Sequence, residues 1–114
     1  MNVLHTPVLA AEILEWLRIR PEGTYADTTV GTGGHLVEIA TRLTTGRVLG
    51  IDRDPQALGI ARERLRPHER QVILVQADFS NIGEVAAANH LPPFDGVLAD
   101  LGVSSLELDS PERG

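Results

Sequence analysis

Four short stretches carry residue types that can do chemistry, and each follows an apolar run. The first is Gly31-Thr32-Gly33-Gly34-His35. Glycines in such a turn permit positive φ and let a ligand approach the backbone, and a helix that starts there offers amide donors. A glycine-rich turn alone is equally compatible with a tight strand-to-helix connection that binds nothing. The second is Asp52, which closes Arg47-Val48-Leu49-Gly50-Ile51-Asp52. A carboxylate there can accept two hydrogen bonds from ribose hydroxyls. Its competing role is to cap the helix that Pro55 opens, for which Asp54 is better placed. The third is Ala77-Asp78-Phe79. The acid can accept from an adenine amino group, while Phe79 packs on the ring, offers its amide, or serves as an ordinary core aromatic. The fourth is Ala99-Asp100-Leu101-Gly102-Val103-Ser104-Ser105. Reacting groups of open α/β sheets gather at such strand ends, and capping the next element is the alternative for Asp100.

The glycine turn and Asp52 together point to a cofactor that carries adenosine. Dinucleotide sites favour G-x-G-x-x-G, whose third glycine eases helix–strand packing beside the pyrophosphate. Leu36 occupies that third place. The glycines at 31, 33 and 34 are grouped in the methyltransferase manner, and S-adenosylmethionine has no phosphate to cradle. It is the expected cofactor, with an NAD enzyme as the rival. On that expectation Asp100 stands where amino-group methyltransferases keep a polar residue facing the target nitrogen. Leu91-Pro92-Pro93-Phe94 is similar to an amino-methyltransferase motif, but it precedes a strand rather than following one, so it reads as a loop.

These groups need elements to position them. Leu9, Ile13, Trp16 and Leu17 fall at helical spacing, with Thr6 as cap and Pro7 in the first turn. Thr24–Val30 reads as a first strand, rich in β-branched residues. Leu36, Ile39, Ala40 and Leu43 mark a helix, Arg47–Asp52 a strand, and Leu58, Ala61 and Leu65 a helix opened by Asp54-Pro55. Gln71–Gln76 is the third strand, Ile82, Val85 and Ala86 mark another helix, and Phe94–Ala99 is the fourth strand. This alternation calls for about four parallel strands with helices on both faces, an α/β Rossmann-like arrangement. Such sheets usually have six or seven strands. Residues 1–114 are therefore expected to be the N-terminal part of a methyltransferase domain. An exposed strand-four edge would then favour self-association.

Composition narrows the class further. The chain has no cysteine, which removes disulfides and thiolate metal sites and fits a reducing cytoplasm. No apolar run approaches the roughly 20 residues of a membrane span, and the N-terminus lacks a signal-peptide layout. A cytoplasmic protein without membrane contact is expected, and the four histidines form no metal-ligand pattern. The net charge of −6 argues against a phosphate-gripping surface on this chain. A polynucleotide would have to be held elsewhere.

Read together, the motifs resemble one family. His5-Thr6-Pro7-Val8-Leu9, Asp27–His35, Gly50–Pro55, Asp100–Ser105 and Leu108-Asp109-Ser110-Pro111-Glu112-Arg113-Gly114 occur in order. They resemble the bacterial small-subunit ribosomal RNA (cytosine-N4)-methyltransferases, and the resemblance runs from His5 to Gly114. It implies the class I S-adenosylmethionine-dependent fold and methylation of a cytosine N4 amine in small-subunit rRNA. It further implies cofactor contacts at Gly33, Gly34, His35, Asp52, Phe79, Asp100 and Glu107. Glu107 stands where the family commonly has Gln, and Leu106 where it has Pro; an ionised carboxylate at 107 accepts hydrogen bonds but cannot donate them. The family's enzymes are about three times longer, with a helical insert domain and further strands that lie beyond this chain. The resemblance thus places the rRNA or 30S contact in those missing regions. Asp100 is the candidate catalytic acceptor, with pure cofactor binding as its alternative. An incomplete cofactor-binding module and a methyltransferase with another substrate are the remaining readings.

Overall fold

The computed structural model describes residues 14–99 except 16, 29 and 32, together with 102 and 103. Its elements are β1 (Thr24–Asp27), α1 (Gly34–Thr41), β2 (Arg47–Asp52), α2 (Pro55–Arg64), β3 (Val72–Gln76), α3 (Ile82–Ala88), β4 (Gly96–Ala99) and β5 (Gly102–Val103). The strands form one sheet in the order β3-β2-β1-β4-β5. β1 to β4 are mutually parallel, and β5 alone runs antiparallel, against β4. The expected four-stranded parallel sheet is present. The outer edge of β4 is not bare, because Leu98 faces Val103 and Ala99 faces Gly102.

Alternation along the strands builds two cores. On one face Tyr25, Val48 and Leu98 pack with Leu36, Ile39 and Ala40 of α1 and Leu58 and Ala61 of α2. On the other, Ala26, Leu49, Ile51 and Val97 meet Ile82 and Val85 of α3, with Leu91 and Phe94. Helices therefore cover both faces, as parallel strands require. Gly50 points into the first core, where a Cβ would come within 2.7 Å of Leu36 Cδ1 and 2.9 Å of Leu74 Cδ2. The missing side chain is what lets α1 lie close on the sheet.

Helix boundaries follow local chemistry. Asp54 caps α2 by accepting from the Gln56 amide, and Pro55 takes the first helical position. α3 stops where His90 adopts φ 58°. There the Leu91 amide donates to the Ala86 carbonyl and the His90 amide to the Ala87 carbonyl, each at 3.0 Å, a Schellman closure that Pro92 follows. Leu14, Glu15 and Leu17 are helical, and Leu17 is buried. The rest of that expected helix, with its Thr6 cap, lies outside the described residues.

Three strands are shorter than expected, β3 by only one residue, since it begins at Val72 rather than Gln71. β1 ends at Asp27, and the amide and the hydroxyl of Thr28 both donate to the Leu98 carbonyl, at 2.9 and 3.2 Å. β4 begins at Gly96 rather than Phe94. Asp95 serves as a clamp at that end: its carboxylate accepts from the Thr24 amide at 2.9 Å and from Arg20 Nη2 at 3.1 Å.

Candidate functional site

The carboxyl ends of the four parallel strands are tied into one row. Thr28 joins β1 to β4 through Leu98. The Gly31 amide donates to Asp52 Oδ2 at 2.9 Å, which joins the turn after β1 to the end of β2. The Ala77 amide donates to the Asp52 carbonyl at 3.2 Å, and Gln76 Nε2 donates to the Arg53 carbonyl at 3.2 Å, which joins β2 to β3. The expected site residues that the structure describes all lie along this row.

The two adjacent glycines of the turn differ in kind. Gly33 has φ 92°, in the left-handed region, and is buried. A Cβ on it would stand 3.1 Å from Ala61 Cβ and 3.3 Å from Ala61 Cα, so the turn rests on α2. Gly34 is exposed, has no positive φ, and nothing lies within 4 Å of its would-be Cβ. The fold needs glycine at 33. At 34 it does not, and the bare backbone there is open to an approaching ligand. Gly34 is also the first residue of α1, whose first turn carries no acid and whose cap makes no side-chain hydrogen bond. That end of the helix suits an anion.

His35 is half-buried on the first turn of α1. Burial lowers its pKa below the usual imidazole value, against the opposing pull of Glu38. Burial therefore favours the uncharged ring. Asp52 is partly buried, and its Oδ1 accepts from the Asp54 amide at 2.9 Å. Asp54, not Asp52, makes the helix cap.

Asp78 caps the short 3-10 turn Phe79–Asn81, its Oδ2 accepting from Ser80 N at 3.1 Å and from Ser80 Oγ at 2.7 Å. Its Oδ1 lies 3.6 Å from Arg53 Nη1. The Ser80 hydroxyl, then the Ser80 amide and Arg53, hold this carboxyl below the ordinary carboxylate range. A depressed pKa means the contact is fully present above the ordinary value and is lost as pH falls through the depressed one. Ser80→Ala should move the Asp78 titration back up toward the ordinary range, as read by carbon NMR; an unmoved titration would show that the hydroxyl is not the cause. Phe79, beside it, is 43% exposed. It is no core aromatic.

Asp100 and Glu107 lie outside the described residues. One buried acid received no role from the sequence: Asp27, 1% exposed, at the end of β1 just before the glycine turn. The available signal was an acid breaking into an otherwise non-acidic strand four residues ahead of the first glycine. Among the described residues no group of acids and histidines could hold a metal ion, and no helix is long and apolar enough to cross a membrane. A groove of about 120 Å³ lined by Arg62, Leu65, Glu69, Val72 and Leu74 contains none of the expected site residues.

Comparison with known proteins gives a consistent result. The sequence profile of the MraW methylase family matches residues 2–114. The chain is 48% identical over 111 residues to a ribosomal RNA small subunit methyltransferase H of Symbiobacterium thermophilum, covering 96% of this chain and 35% of that protein. It thus spans about a third of the length of the curated relatives it matches, 37% for that of Heliobacterium mobile. Among solved structures, precorrin-6y C5,15-methyltransferase of Geobacter metallireducens superposes with a TM-score of 0.65 at 30% identity, over 79% of this chain and 46% of that one. TrmN of Thermus thermophilus gives 0.66 at 29% identity, over 82% and 27%.

Proposed function

Because the chain belongs to the MraW methylase family, we propose that it is the cofactor-binding half of an enzyme that methylates the exocyclic N4 of a cytosine in small-subunit ribosomal RNA, using S-adenosylmethionine. The observation that carries the cofactor is Gly34, whose bare backbone faces open space at the start of α1. The sulfonium of S-adenosylmethionine, when bound, supplies an activated methyl group. Everything else falls to the protein.

Gly33, Gly34 and His35 would bind the amino-acid tail, with the start of α1 toward its carboxylate. An uncharged His35 adds no repulsion against a cationic ligand. Asp52 would accept from the ribose hydroxyls, and Phe79 would lie against the adenine or offer its amide. Asp100 and Glu107 complete the proposed contacts, Glu107 as an acceptor only.

The lone pair of a cytosine amino nitrogen is delocalised into the ring, so alignment and charge stabilisation matter most. Asp100, which follows β4, is the proposed acceptor for a hydrogen of that amine; contact with the cofactor alone is its second reading. Residues 1–114 would form the N-terminal part of the methyltransferase domain, the remaining strands and an insert domain lying outside it. RNA, in the assembled 30S subunit, would be gripped there, since the net charge here is −6. By itself this chain would bind cofactor in the cytoplasm without turning over. The names of the relatives support the RNA substrate. Calorimetry of the chain against S-adenosylhomocysteine and NAD tests the reading: binding of the first alone is expected, and binding of NAD alone, or of neither, overturns it.

A further inference from the structure

We infer that Asp52 is also a positioning residue for the glycine turn, acting through Gly31, in addition to accepting from the ribose. The inference rests on the cofactor reading for its consequence, but its geometry is independent of it. Gly31 begins the turn at φ 57°, and nothing lies within 4 Å of its would-be Cβ. No side chain packs where its Cβ would be. The turn is closed behind it by the Gly33 amide on the carbonyl of buried Val30, and the one side-chain bond to Gly31 that the structure gives runs from its amide to Asp52 Oδ2, across 21 residues of sequence at 2.9 Å. A bond to an ionised acceptor is stronger than one between neutral groups.

Asp52 is in turn well fixed. Its Oδ1 accepts from the Asp54 amide, its carbonyl accepts from the Ala77 amide, and it pairs in register with Gln76 of β3. The turn therefore has two anchors on opposite sides: Gly33 seated against Ala61 of α2, and Gly31 held by the Asp52 carboxylate. Each carboxylate oxygen keeps a second lone pair after these bonds, so both can still accept from hydroxyls. The two roles are compatible and act together. Loss of this carboxylate should weaken binding of ligand parts it never touches, the amino-acid tail above all.

The experiment compares S-adenosylhomocysteine with its 2′,3′-dideoxyribose analogue, on the unaltered chain and on Asp52→Ala. A residue that only accepts from the ribose would leave the affinity for the analogue unchanged in Asp52→Ala. We expect instead a loss of tenfold or more for the analogue, with a further loss for the parent ligand. Equal binding of the analogue by both chains overturns the inference while leaving the cofactor reading intact. Failure of the unaltered chain to bind either ligand overturns the cofactor reading. Should Asp52→Ala not fold, the unaltered chain provides the second measurement: a through-hydrogen-bond coupling between the Gly31 nitrogen and the Asp52 carboxyl carbon. Its observation supports the anchor, and its absence overturns it.

Discussion

Gly34→Ala is expected to leave the melting temperature unchanged or slightly raised and to weaken S-adenosylhomocysteine binding at least a hundredfold, about 2.8 kcal/mol. The stability half follows from the empty space around this position and from its place as the first residue of α1. Alanine there meets nothing and has a better helix propensity than glycine. The binding half follows because a methyl group would stand where the ligand's tail should pass. Thermal melting and calorimetry on the same sample separate the two. Wild-type affinity in this variant would mean that the turn is not the cofactor cradle.

Gly33→Ala, one residue away, should fail for the opposite reason. Its backbone at φ 92° costs an L-residue about 1–2 kcal/mol. Its Cβ would also press on the Cβ and Cα of Ala61, a residue with no exposed surface. We expect a total loss of about 2–4 kcal/mol in urea unfolding, at the scale of strain plus overpacking. Adding Ala61→Gly should recover part of it, since that removes the 3.1 Å contact but neither the 3.3 Å contact nor the backbone strain. Loss confined to ligand affinity, with unfolding unchanged, would show that α2 yields easily. The expected result would divide two neighbours of identical type between the fold and the ligand.

That division is invisible in the sequence, because it depends on Ala61, which a different helix brings to the turn. What was legible was local. The bounds of β2 and the Asp54-Pro55 start of α2 follow from an apolar run with a cap and proline behind it, and both are where the residues put them. The β-branched character of Thr28 to Val30 suggested more strand than exists, since β1 ends at Asp27. Gly33, Gly34, Asp52 and Phe79 are legible because each lies at or soon after an expected strand end, and His35 through the family resemblance. Asp27 is passed over because the expected strand runs on to Val30 and places it inside, whereas β1 ends on it. The bond between Gly31 and Asp52 joins residues 21 apart, and no local pattern records it.

The unequal covering of the sheet has a consequence for how a ligand gets in. α1 and α2 set fully buried side chains against their face, whereas α3 contributes none, and its Ile82 and Val85 are only half-covered. A helix with so little buried surface opens at a lower free energy than the chain as a whole. The turn that carries Phe79 leads directly into α3. On the proposed reading, the side of the site that carries Phe79 would open more readily than the glycine side, which is braced on α2 through Ala61.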